Sequence, residues 1–270
     1  MSDSPSIPPK KSLGQNFLID KNLAAKIVRA LPVVPGDTVL EIGPGTGALT
    51  EHLADLVPSL VAVEIDARLL PGLQERFGDR VQFVHDDILH VDLTKLAKTR
   101  GGRLQVIGNL PYYSSSPILF HLLAHREHVH HAVLTLQEEV VARCCAGPGT
   151  KSYGTLSVQL ALFAKPRKLF ALPPHVFRPA PKVRSAVLAL DFQSPETSLP
   201  RRYDDFETVL RAAFAQRRKT VRNSLSSRLG AETAVAILAA ADIDGGARAE
   251  SLMPTRFTAL ADALTALRKT

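Results

Sequence analysis

A side-chain amide, a proline-fixed turn and an aromatic ring follow one another at Asn109-Leu110-Pro111-Tyr112. The Asn109 side-chain carbonyl and a backbone carbonyl near Leu110 can accept both hydrogens of an aromatic amine such as adenine N6. This favours a pyramidal nitrogen whose lone pair points at a methyl carbon, most strongly as positive charge develops on the nitrogen. Pro111 fixes the turn, and Tyr112 offers a face for base stacking. The motif predicts methylation of a base amine; an ordinary strand-ending turn is the alternative.

A glycine-rich loop, Gly43-Pro44-Gly45-Thr46-Gly47, follows the apolar strand pattern of residues 38–42. Glycine permits positive φ and lets the backbone approach a ligand closely. Glu64 ends the next strand pattern, where a carboxylate can accept hydrogen bonds from both hydroxyls of a ribose. Together these features predict an adenosine-containing cofactor, although the loop also fits a dinucleotide fingerprint.

The charge of this half of the chain favours S-adenosylmethionine over NAD. From Asp37 to Arg100 there are 11 acidic and 6 basic residues, a net charge of −5. S-Adenosylmethionine carries a sulfonium and an ammonium group, whereas NAD carries a pyrophosphate. Asp86 and Asp87 follow the third strand pattern, where a carboxylate can accept from the adenine amine. Because ligands bind at the carboxyl ends of such strands, we expect these carboxylates to meet at one site.

Short apolar runs alternate with helical patterns over the first two thirds of the chain. This alternation predicts an α/β fold with a mostly parallel, doubly wound sheet. The predicted strands are 38–42, 60–64, 81–85, 104–109 and 132–137, and the predicted helices are 21–31, 49–57, 68–77, 117–124 and 138–146. A proline-rich loop separates residues 169–172 from 185–192, which predicts an antiparallel pair at the sheet edge.

The pattern changes after Phe192. Pro195 and Pro200 mark a linker, and beyond it apolar residues recur only at helical spacing, which predicts a small all-helical domain. We expect a flexible tail over residues 1–11, a catalytic domain over 12–194 and a helical domain over 195–270. From Leu199 to Arg228 there are 8 basic and 3 acidic residues. Such an excess is typical of a polyanion-binding surface, although an unevenly charged solvated surface would have the same composition.

Several motifs resemble those of ribosomal RNA adenine N6,N6-dimethyltransferases of the small-subunit type, the kasugamycin-sensitivity enzymes. They are Ser12–Leu18, Glu41–Thr50, Asn109–Tyr112, Phe177–Val183 and Gln216–Leu225. The resemblance extends from about Lys11 to the C-terminus. The chain departs from the family at Ser114, where isoleucine is common, and at Arg184, where many members have an acidic residue.

The resemblance implies a class I S-adenosylmethionine-dependent methyltransferase fold. This fold is a Rossmann-like, mostly parallel sheet with an antiparallel edge strand, here with a small all-helical C-terminal domain. The implied reaction is dimethylation of N6 on two adjacent adenosines near the 3′ end of small-subunit (16S) rRNA. The implied cofactor-binding residues are Gln15, Asn16, Leu18, Gly43, Gly45, Glu64, Ile65, Asp87, Ile88 and Asn109. The implied catalytic residues are Asn109, Leu110, Pro111, Tyr112 and Phe177, with Phe177 stacking on a flipped adenine opposite Tyr112. From the residues alone, a core phenylalanine in a proline-rich loop is the alternative for Phe177.

Basic residues at two places are predicted to follow the phosphates of an RNA. They are Lys165, Arg167, Lys168, Arg178, Lys182 and Arg184 around the Phe177 loop, and Arg217, Arg218, Lys219 and Arg222 at the start of a helix. Because side chains cannot read the deep, narrow major groove of A-form RNA, we expect recognition of shape and of an exposed loop. The expected partners are small-subunit rRNA and a partly assembled 30S subunit. For residues 217–222, a solvated helix face with ordinary ion pairs is the alternative.

The same residues are compatible with three other classes of protein. A large-subunit rRNA adenine dimethyltransferase of the macrolide-resistance type would perform the same chemistry on another RNA. A ribosome-assembly checkpoint protein could bind RNA and keep the cofactor pocket without relying on catalysis. A dinucleotide-dependent dehydrogenase fits the glycine loop, but it explains neither residues 109–112 nor the basic second half of the chain.

The composition is that of an ordinary globular protein, with 45% hydrophobic and 22% charged residues. We expect no membrane association, because no apolar run approaches the roughly 20 residues that cross a bilayer and the polar N-terminus is unlike a secretory signal. Cys144 and Cys145 are adjacent, which favours a reduced, cytoplasmic protein, and we expect a monomer. His121 and His125 lie one helical turn apart, but no further ligand stands at metal-site spacing, so no metal is predicted.

Overall fold

The computed structural model describes residues 7–100, 102–193 and 199–269. Its strands are β1 (Phe17–Leu18), β2 (Thr38–Ile42), β3 (Ser59–Glu64), β4 (Gln82–His85), β5 (Leu104–Asn109), β6 (Val129–Gln137), β7 (Arg167–Leu172), β8 (Phe177–Arg178) and β9 (Ser185–Asp191). Its α-helices are α1 (Lys21–Arg29), α2 (Thr50–Leu53), α3 (Leu70–Phe77), α4 (Leu93–Thr99), α5 (Ser115–Ala124), α6 (Glu138–Cys144), α7 (Thr155–Phe163), α8 (Tyr203–Ala213), α9 (Val221–Leu229), α10 (Ala231–Ala240) and α11 (Pro254–Leu267).

Seven strands form one sheet in the order β4-β3-β2-β5-β6-β9-β7. The first five strands in this order pair in parallel, and β9 is antiparallel to both of its neighbours. The predicted α/β fold, its mostly parallel sheet and the antiparallel pairing of β7 with β9 are therefore confirmed. This antiparallel pair lies at one edge of the sheet, as predicted: β7 is the edge strand, and β9 inserts between β6 and β7.

The two central strands, β2 and β5, set the position of the site. β2 is buried along its whole length, and β5 is buried as far as Gly108. Their continuous burial fits parallel strands that are covered on both faces. From β2 the chain builds outward to β3 and β4, and it then returns to add β5 and β6 on the other side. The loops after β2 and β5 therefore flank the point where the strand order reverses, which is where doubly wound sheets bind ligands.

Local capping explains where several helices begin. The Asp20 carboxylate accepts from the Leu23 backbone N–H at 2.9 Å and begins α1, as Asp92 does for α4 through Lys95 at 3.0 Å. Each bond satisfies a backbone donor that has no partner within its helix. The sequence did not predict α4 or α7, and α2 is shorter than the predicted helix over 49–57.

The described chain divides into two compact units. One unit, with the large sheet, contains the described residues up to 141 and residues 166–193, and the other contains residues 142–165 and those after 193. The second unit is helical, but it begins before the predicted boundary at 195. The segment 142–165 belongs to it because α7 packs on α8: the Phe163 ring lies 5.8 Å from those of Tyr203 and Phe206, and the Tyr203 hydroxyl donates to Gln159 at 2.8 Å.

A separate two-stranded sheet joins β1 to β8 in the first unit, with Phe17 opposite Arg178 and Leu18 opposite Phe177. Residues 1–6 of the predicted flexible tail lie outside the described residues. Lys11–Leu13 forms a short 3-10 helix, so the end of that predicted tail is structured next to β1. Among the described residues, none of the helices has the length and apolar character needed to cross a bilayer.

Candidate active site

A cavity opens at the carboxyl ends of β2, β3, β4 and β5, and it encloses about 1040 Å³ including the part open to solvent. Four loops supply most of its wall: residues 41–49, 63–65, 86–89 and 109–114. The N-terminal segment adds Leu13 and residues 15–18. Because parallel strands end at the same edge of the sheet, residues far apart in sequence converge here.

Nearly all the residues predicted for cofactor binding and catalysis line this one cavity. The lining includes Gln15, Asn16, Leu18, Gly43, Gly45, Glu64, Ile65, Asp87, Ile88, Asn109, Leu110, Pro111 and Tyr112. Phe177 is the one predicted member that is not part of this lining. Convergence on a shared wall is the geometry that a single cofactor and substrate site requires.

Glu64 is held at the end of β3 by backbone donors. One carboxylate oxygen accepts from the Gly45 N–H at 3.0 Å and the other from the Asp66 N–H at 2.9 Å. Burial raises the pKa of Glu64, and these two hydrogen bonds oppose that rise. A carboxylate has about four lone-pair sites, so each oxygen can accept a further hydrogen bond from a ligand.

Glu41 is a cavity residue that the sequence reasoning missed. It lies on β2 with 1% of its surface exposed, and the Thr50 hydroxyl donates to its carboxylate at 2.7 Å. Burial is the main cause that raises the pKa of Glu41 to about 8, and the nearby Glu64 charge adds to the rise. A carboxyl group at the end of a buried strand, just before a glycine loop, is the signal that could have identified it.

Asp87 is positioned by the turn that follows β4. Its carboxylate accepts from the Leu89 N–H at 3.0 Å, and the Asp86 carboxylate accepts from the Asp87 N–H at 2.7 Å. Both acidic side chains therefore stabilise the turn, and both also line the cavity beside the buried Ile88. A role in the turn is therefore compatible with the predicted role of Asp87 as a ligand.

The Asn109 side chain is held by the N-terminal segment. Its Nδ2 donates to the Asn16 carbonyl at 2.9 Å, which leaves Oδ1 as the acceptor of the amide. The backbone carbonyls of the next two residues, Leu110 and Pro111, differ in whether they accept hydrogen bonds within the protein. The Pro111 carbonyl accepts from the Ser114 N–H and hydroxyl and from the Ser115 hydroxyl, at 3.2, 3.3 and 3.2 Å. No described residue donates to the Leu110 carbonyl, so it is the available backbone acceptor beside Asn109.

The Tyr112 ring is fixed at its hydroxyl end. Its hydroxyl lies 2.7 Å from that of Ser185, which is fully buried on β9. Burial raises the pKa of Tyr112, so the phenol is neutral at physiological pH. Tyr113, the next residue, is 59% exposed at the cavity wall. The Tyr112 hydroxyl therefore contacts a buried partner, whereas most of the neighbouring Tyr113 side chain is exposed to solvent.

The structure does not bring Phe177 to the cavity beside Tyr112. Phe177 is 3% exposed and belongs to an apolar cluster with Leu18, Ile27 and Leu172. The physical reason is the pairing of β8 with β1, which places Phe177 opposite Leu18. In this conformation the ring has no exposed face for a base, so stacking of Phe177 on an adenine stays a prediction.

All ten basic residues predicted to bind RNA are exposed, and each unit carries five of them. The sheet-containing unit has Arg167, Lys168, Arg178, Lys182 and Arg184, and the helical unit has Lys165, Arg217, Arg218, Lys219 and Arg222. Three of them form ion pairs: Lys168 and Arg184 share Glu138 at 2.6 and 3.4 Å, and Arg217 lies 3.6 Å from Glu250. The departure at Arg184 therefore has a local acidic partner.

His121 and His125 bond to the backbone. His121 Nε2 lies 3.1 Å from the Val91 carbonyl, and His125 Nδ1 lies 3.0 Å from the His121 carbonyl. The two rings are 4.5 Å apart, and burial lowers the pKa of His121. Across residues 7–100, 102–193 and 199–269, His, Cys, Asp and Glu side chains form no group of three suited to a metal ion.

Comparison with known proteins identifies the family. The sequence model of the family described as "Ribosomal RNA adenine dimethylase" matches residues 8–266. The chain belongs to this family. It is accordingly an rRNA adenine dimethyltransferase, and the dimethylase family and fold depend on S-adenosylmethionine.

Close relatives of this dimethylase are bacterial. It is 47% identical over 258 residues to the Ribosomal RNA small subunit methyltransferase A of Salinibacter ruber, which covers 95% of this chain and 86% of that protein. The protein of the same name from Alkaliphilus oremlandii is 41% identical over 262 residues, which covers 94% of this chain and 91% of that protein. The match therefore includes both units.

Solved structures support the same fold for the dimethylase. A dimethyladenosine transferase from Plasmodium falciparum matches with a TM-score of 0.76 and 26% identity, covering 90% of this chain and 95% of that one. The 23S rRNA methyltransferase ErmE matches with a TM-score of 0.70 and 24% identity, covering 93% of this chain and 100% of that one. This likeness concerns the fold alone. The predicted class I methyltransferase fold is confirmed.

Proposed function

We propose that this chain transfers methyl groups from S-adenosylmethionine to N6 of two adjacent adenosines near the 3′ end of small-subunit rRNA, in a partly assembled 30S subunit. The observation that carries the proposal is the convergence of the Asn109 amide and the Leu110 carbonyl on a cavity walled by carboxylates. The names of the curated relatives support the small subunit as the source of the RNA.

The residues of the cavity fit S-adenosylmethionine. Glu64 would accept the ribose hydroxyls with the lone pairs that its two backbone donors leave. Asp87 would accept from the adenine amine, between the apolar side chains of Ile65 and Ile88. Asn16, Leu18, Gly43 and Gly45 complete the wall. The cofactor supplies an electrophilic methyl group on a cationic sulfur, and the ionised carboxylates of the cavity wall favour that positive charge.

Asn109 and Leu110 would activate the target amine. The Asn109 Oδ1 and the Leu110 carbonyl each accept one N6 hydrogen, which directs the nitrogen lone pair away from the ring. Both hydrogen bonds strengthen as nitrogen becomes positive, so the stabilisation is greatest in the transition state. The neutral amine attacks first and loses its proton afterwards, so no residue has to act as a base before methyl transfer.

Tyr112 would hold the target base by stacking. A base inside an RNA helix cannot reach a methyl donor in this cavity, so it must be flipped out or lie in a loop. Stacking on one aromatic face contributes about 1–3 kcal/mol per base. Phe177 would provide the second face only after its ring moves out of the apolar cluster that now contains it.

Basic residues on both units would bind the rRNA phosphates. We select Arg218 and Lys219 for the test because Arg217, their neighbour, already pairs with Glu250. Arg218→Glu together with Lys219→Glu should weaken binding to the subunit and lower the slope of log affinity against log salt. Arg218 and Lys219 lie in the turn before α9, and Arg228→Glu, near the other end of that helix, reverses one exposed charge; it is the control for Arg218→Glu alone.

The deciding experiment offers radiolabelled S-adenosylmethionine with undermethylated small subunits and, separately, with large subunits. Primer extension then maps dimethyladenosine. Two adjacent stops near the 3′ end of the small-subunit rRNA are expected. Label in the large subunit would contradict the small-subunit assignment, and tight small-subunit binding with no label would leave a checkpoint protein that has kept its cofactor pocket.

A further inference from the structure

The N-terminal residues 14–18 (the strap) contact several parts of the active site. The Asn16 carbonyl accepts from Asn109 Nδ2 at 2.9 Å. A side-chain amide can turn over and present either its oxygen or its NH₂ group. Only the oxygen can accept a hydrogen from the target amine, so the position of the Asn16 carbonyl decides whether Asn109 faces the amine correctly.

Gln15 ties the strap to the loop after β3. Its Nε2 donates to the Asp66 carboxylate at 2.9 Å, and its Oε1 accepts from the Lys10 N–H at 2.6 Å. Both polar ends of the Gln15 side chain therefore hold partners within the protein, and these bonds fix the side chain between Lys10 and Asp66. Gln15 also lines the cavity, so its predicted contact with the cofactor stays a prediction, and the anchoring of the strap is a role in addition to it.

Asp66 is a rigid partner for Gln15. It is 4% exposed, and Arg68 holds both of its oxygens, with bonds of 2.8 Å from Nε and 2.6 Å from a terminal nitrogen. The Arg68 guanidinium is the main cause that holds the pKa of Asp66 well below its usual range. Asp66 is not part of the cavity lining, so its role can be tested without removing a cavity group.

The other end of the strap is fixed by the β1–β8 sheet. Phe17 and Leu18 pair with Arg178 and Phe177, and the Ile19 N–H donates to the Val176 carbonyl at 2.9 Å. Asn16 therefore lies between two attachments, the Gln15 side chain and the strand pair. Losing either one allows the Asn16 carbonyl to move relative to Asn109.

We propose that Gln15 and Asp66 are positioning residues for methyl transfer: their hydrogen bond holds the strap so that the Asn16 carbonyl orients the Asn109 amide. The proposal deepens the proposed function and rests on it. It assigns a role in the reaction to Asp66, a residue outside the cavity that sequence reasoning did not select.

The test compares single-turnover methyl transfer at saturating S-adenosylmethionine and RNA. Asp66→Ala and Gln15→Ala should each slow transfer about tenfold, since small misplacements of catalytic groups cost up to about a hundredfold, and the double variant should be no slower than either. Gln15→Glu combined with Asp66→Asn exchanges donor and acceptor and should recover part of the rate. Asp55→Ala, which breaks the exposed Asp55–Arg80 pair of 2.8 Å elsewhere in the same unit, is the matched control.

An unchanged single-turnover rate in Asp66→Ala would overturn the proposal, as would a variant that only weakens cofactor affinity. Hydrogen exchange of the backbone amides of residues 14–19 provides a second readout that needs no turnover. Exchange there should accelerate in Asp66→Ala and not in Asp55→Ala; equal exchange would also overturn the proposal.

If the wild-type chain methylates no RNA, the proposed function fails, while the exchange result still decides whether Asp66 anchors the strap. Arg68→Met offers a milder variant if Asp66→Ala does not fold.

Discussion

The hydroxyl groups of Tyr112 and Ser185 lie 2.7 Å apart, and Ser185 is fully buried. Tyr112 follows β5, whereas Ser185 begins β9, so the contact joins the motif after a parallel strand to the antiparallel strand two positions away in the sheet. The bond holds the hydroxyl end of the ring and leaves the ring itself at the cavity wall. Tyr112 therefore combines a fixed orientation with an available surface.

Tyr112→Ala should weaken RNA binding far more than Tyr112→Phe. Alanine removes a stacking face worth about 1–3 kcal/mol, a loss of roughly fivefold to 150-fold in affinity. Phenylalanine keeps the face and loses the hydrogen bond to Ser185 within the protein, which costs about 1 kcal/mol of folding stability and not of RNA affinity. Filter binding of the two variants to undermethylated subunits measures the difference. Equal losses would place the contribution of Tyr112 in its hydroxyl group.

Asn109→Ala should lower the methyl-transfer rate by about a hundredfold or more while cofactor affinity falls only slightly. The variant loses an acceptor that acts mainly in the transition state. Single-turnover kinetics and calorimetric titration with S-adenosylmethionine measure the two effects. Asn22→Ala, at an exposed position on α1, is the control. A wild-type rate in Asn109→Ala would refute the catalytic role.

Glu41 should make the stability of the protein depend on pH. Burial raises its folded-state pKa from 4.5 to about 8, so the folded state binds this proton more tightly than the unfolded chain does. The stabilisation is fully present below pH 4.5 and is lost as pH rises through about 8. The free energy of unfolding should therefore fall across this window, by at most about 1.4 kcal/mol per pH unit from this one group.

Glu41→Gln removes the titrating group and keeps an acceptor for Thr50. Urea unfolding of the wild-type chain and the variant at about pH 6 and about pH 8 should show a flatter pH dependence in the variant. Parallel pH dependences in the two proteins would mean that Glu41 is already ionised in the folded state. The same comparison without and with cofactor tests whether a bound cation favours the carboxylate form.

Gly45→Ala should weaken cofactor binding. Gly45 has φ +59°, and a Cβ there would lie 3.0 Å from the Phe17 ring, so the substitution strains the backbone and displaces the strap. The expected loss of stability is about 1 kcal/mol or more. Gly72→Ala is the matched control, because Gly72 lies in α3 with open space around it. Titration with S-adenosylmethionine and thermal unfolding should separate the two variants.

The main parts of the site could be predicted from the sequence because they follow strand ends. Glu64 and Asn109 are the last residues of their strands and Asp87 follows its strand by two residues, and parallel topology brings such positions to one edge. The glycine loop follows the same rule. Strand periodicity and connection order therefore suffice to predict that these residues meet, without knowledge of any contact distance.

The remaining features depend on contacts that leave no periodic pattern. Two-residue strands such as β1 and β8 are too short to show alternation, so the strand pairing that places Phe177 opposite Leu18 could not be predicted. Asp66 resembles any loop carboxylate until Arg68 and Gln15 are placed beside it. The segment 142–165 was assigned to the wrong unit because the aromatic partners of α7 come some 40 residues later in the chain.

Because the helical unit is assembled from two stretches of chain, neither unit can be isolated by a single truncation. Ending the chain at residue 193 would retain α7 but remove Tyr203, Phe206 and Leu252, whose carbonyl accepts from the Tyr153 hydroxyl at 2.9 Å. Starting it at residue 194 would leave α8 without Phe163. During synthesis, the residues that cover Phe163 of α7, Tyr203 and Phe206, are added only with the last quarter of the chain. Domain exchange between relatives would therefore need two matched crossover points.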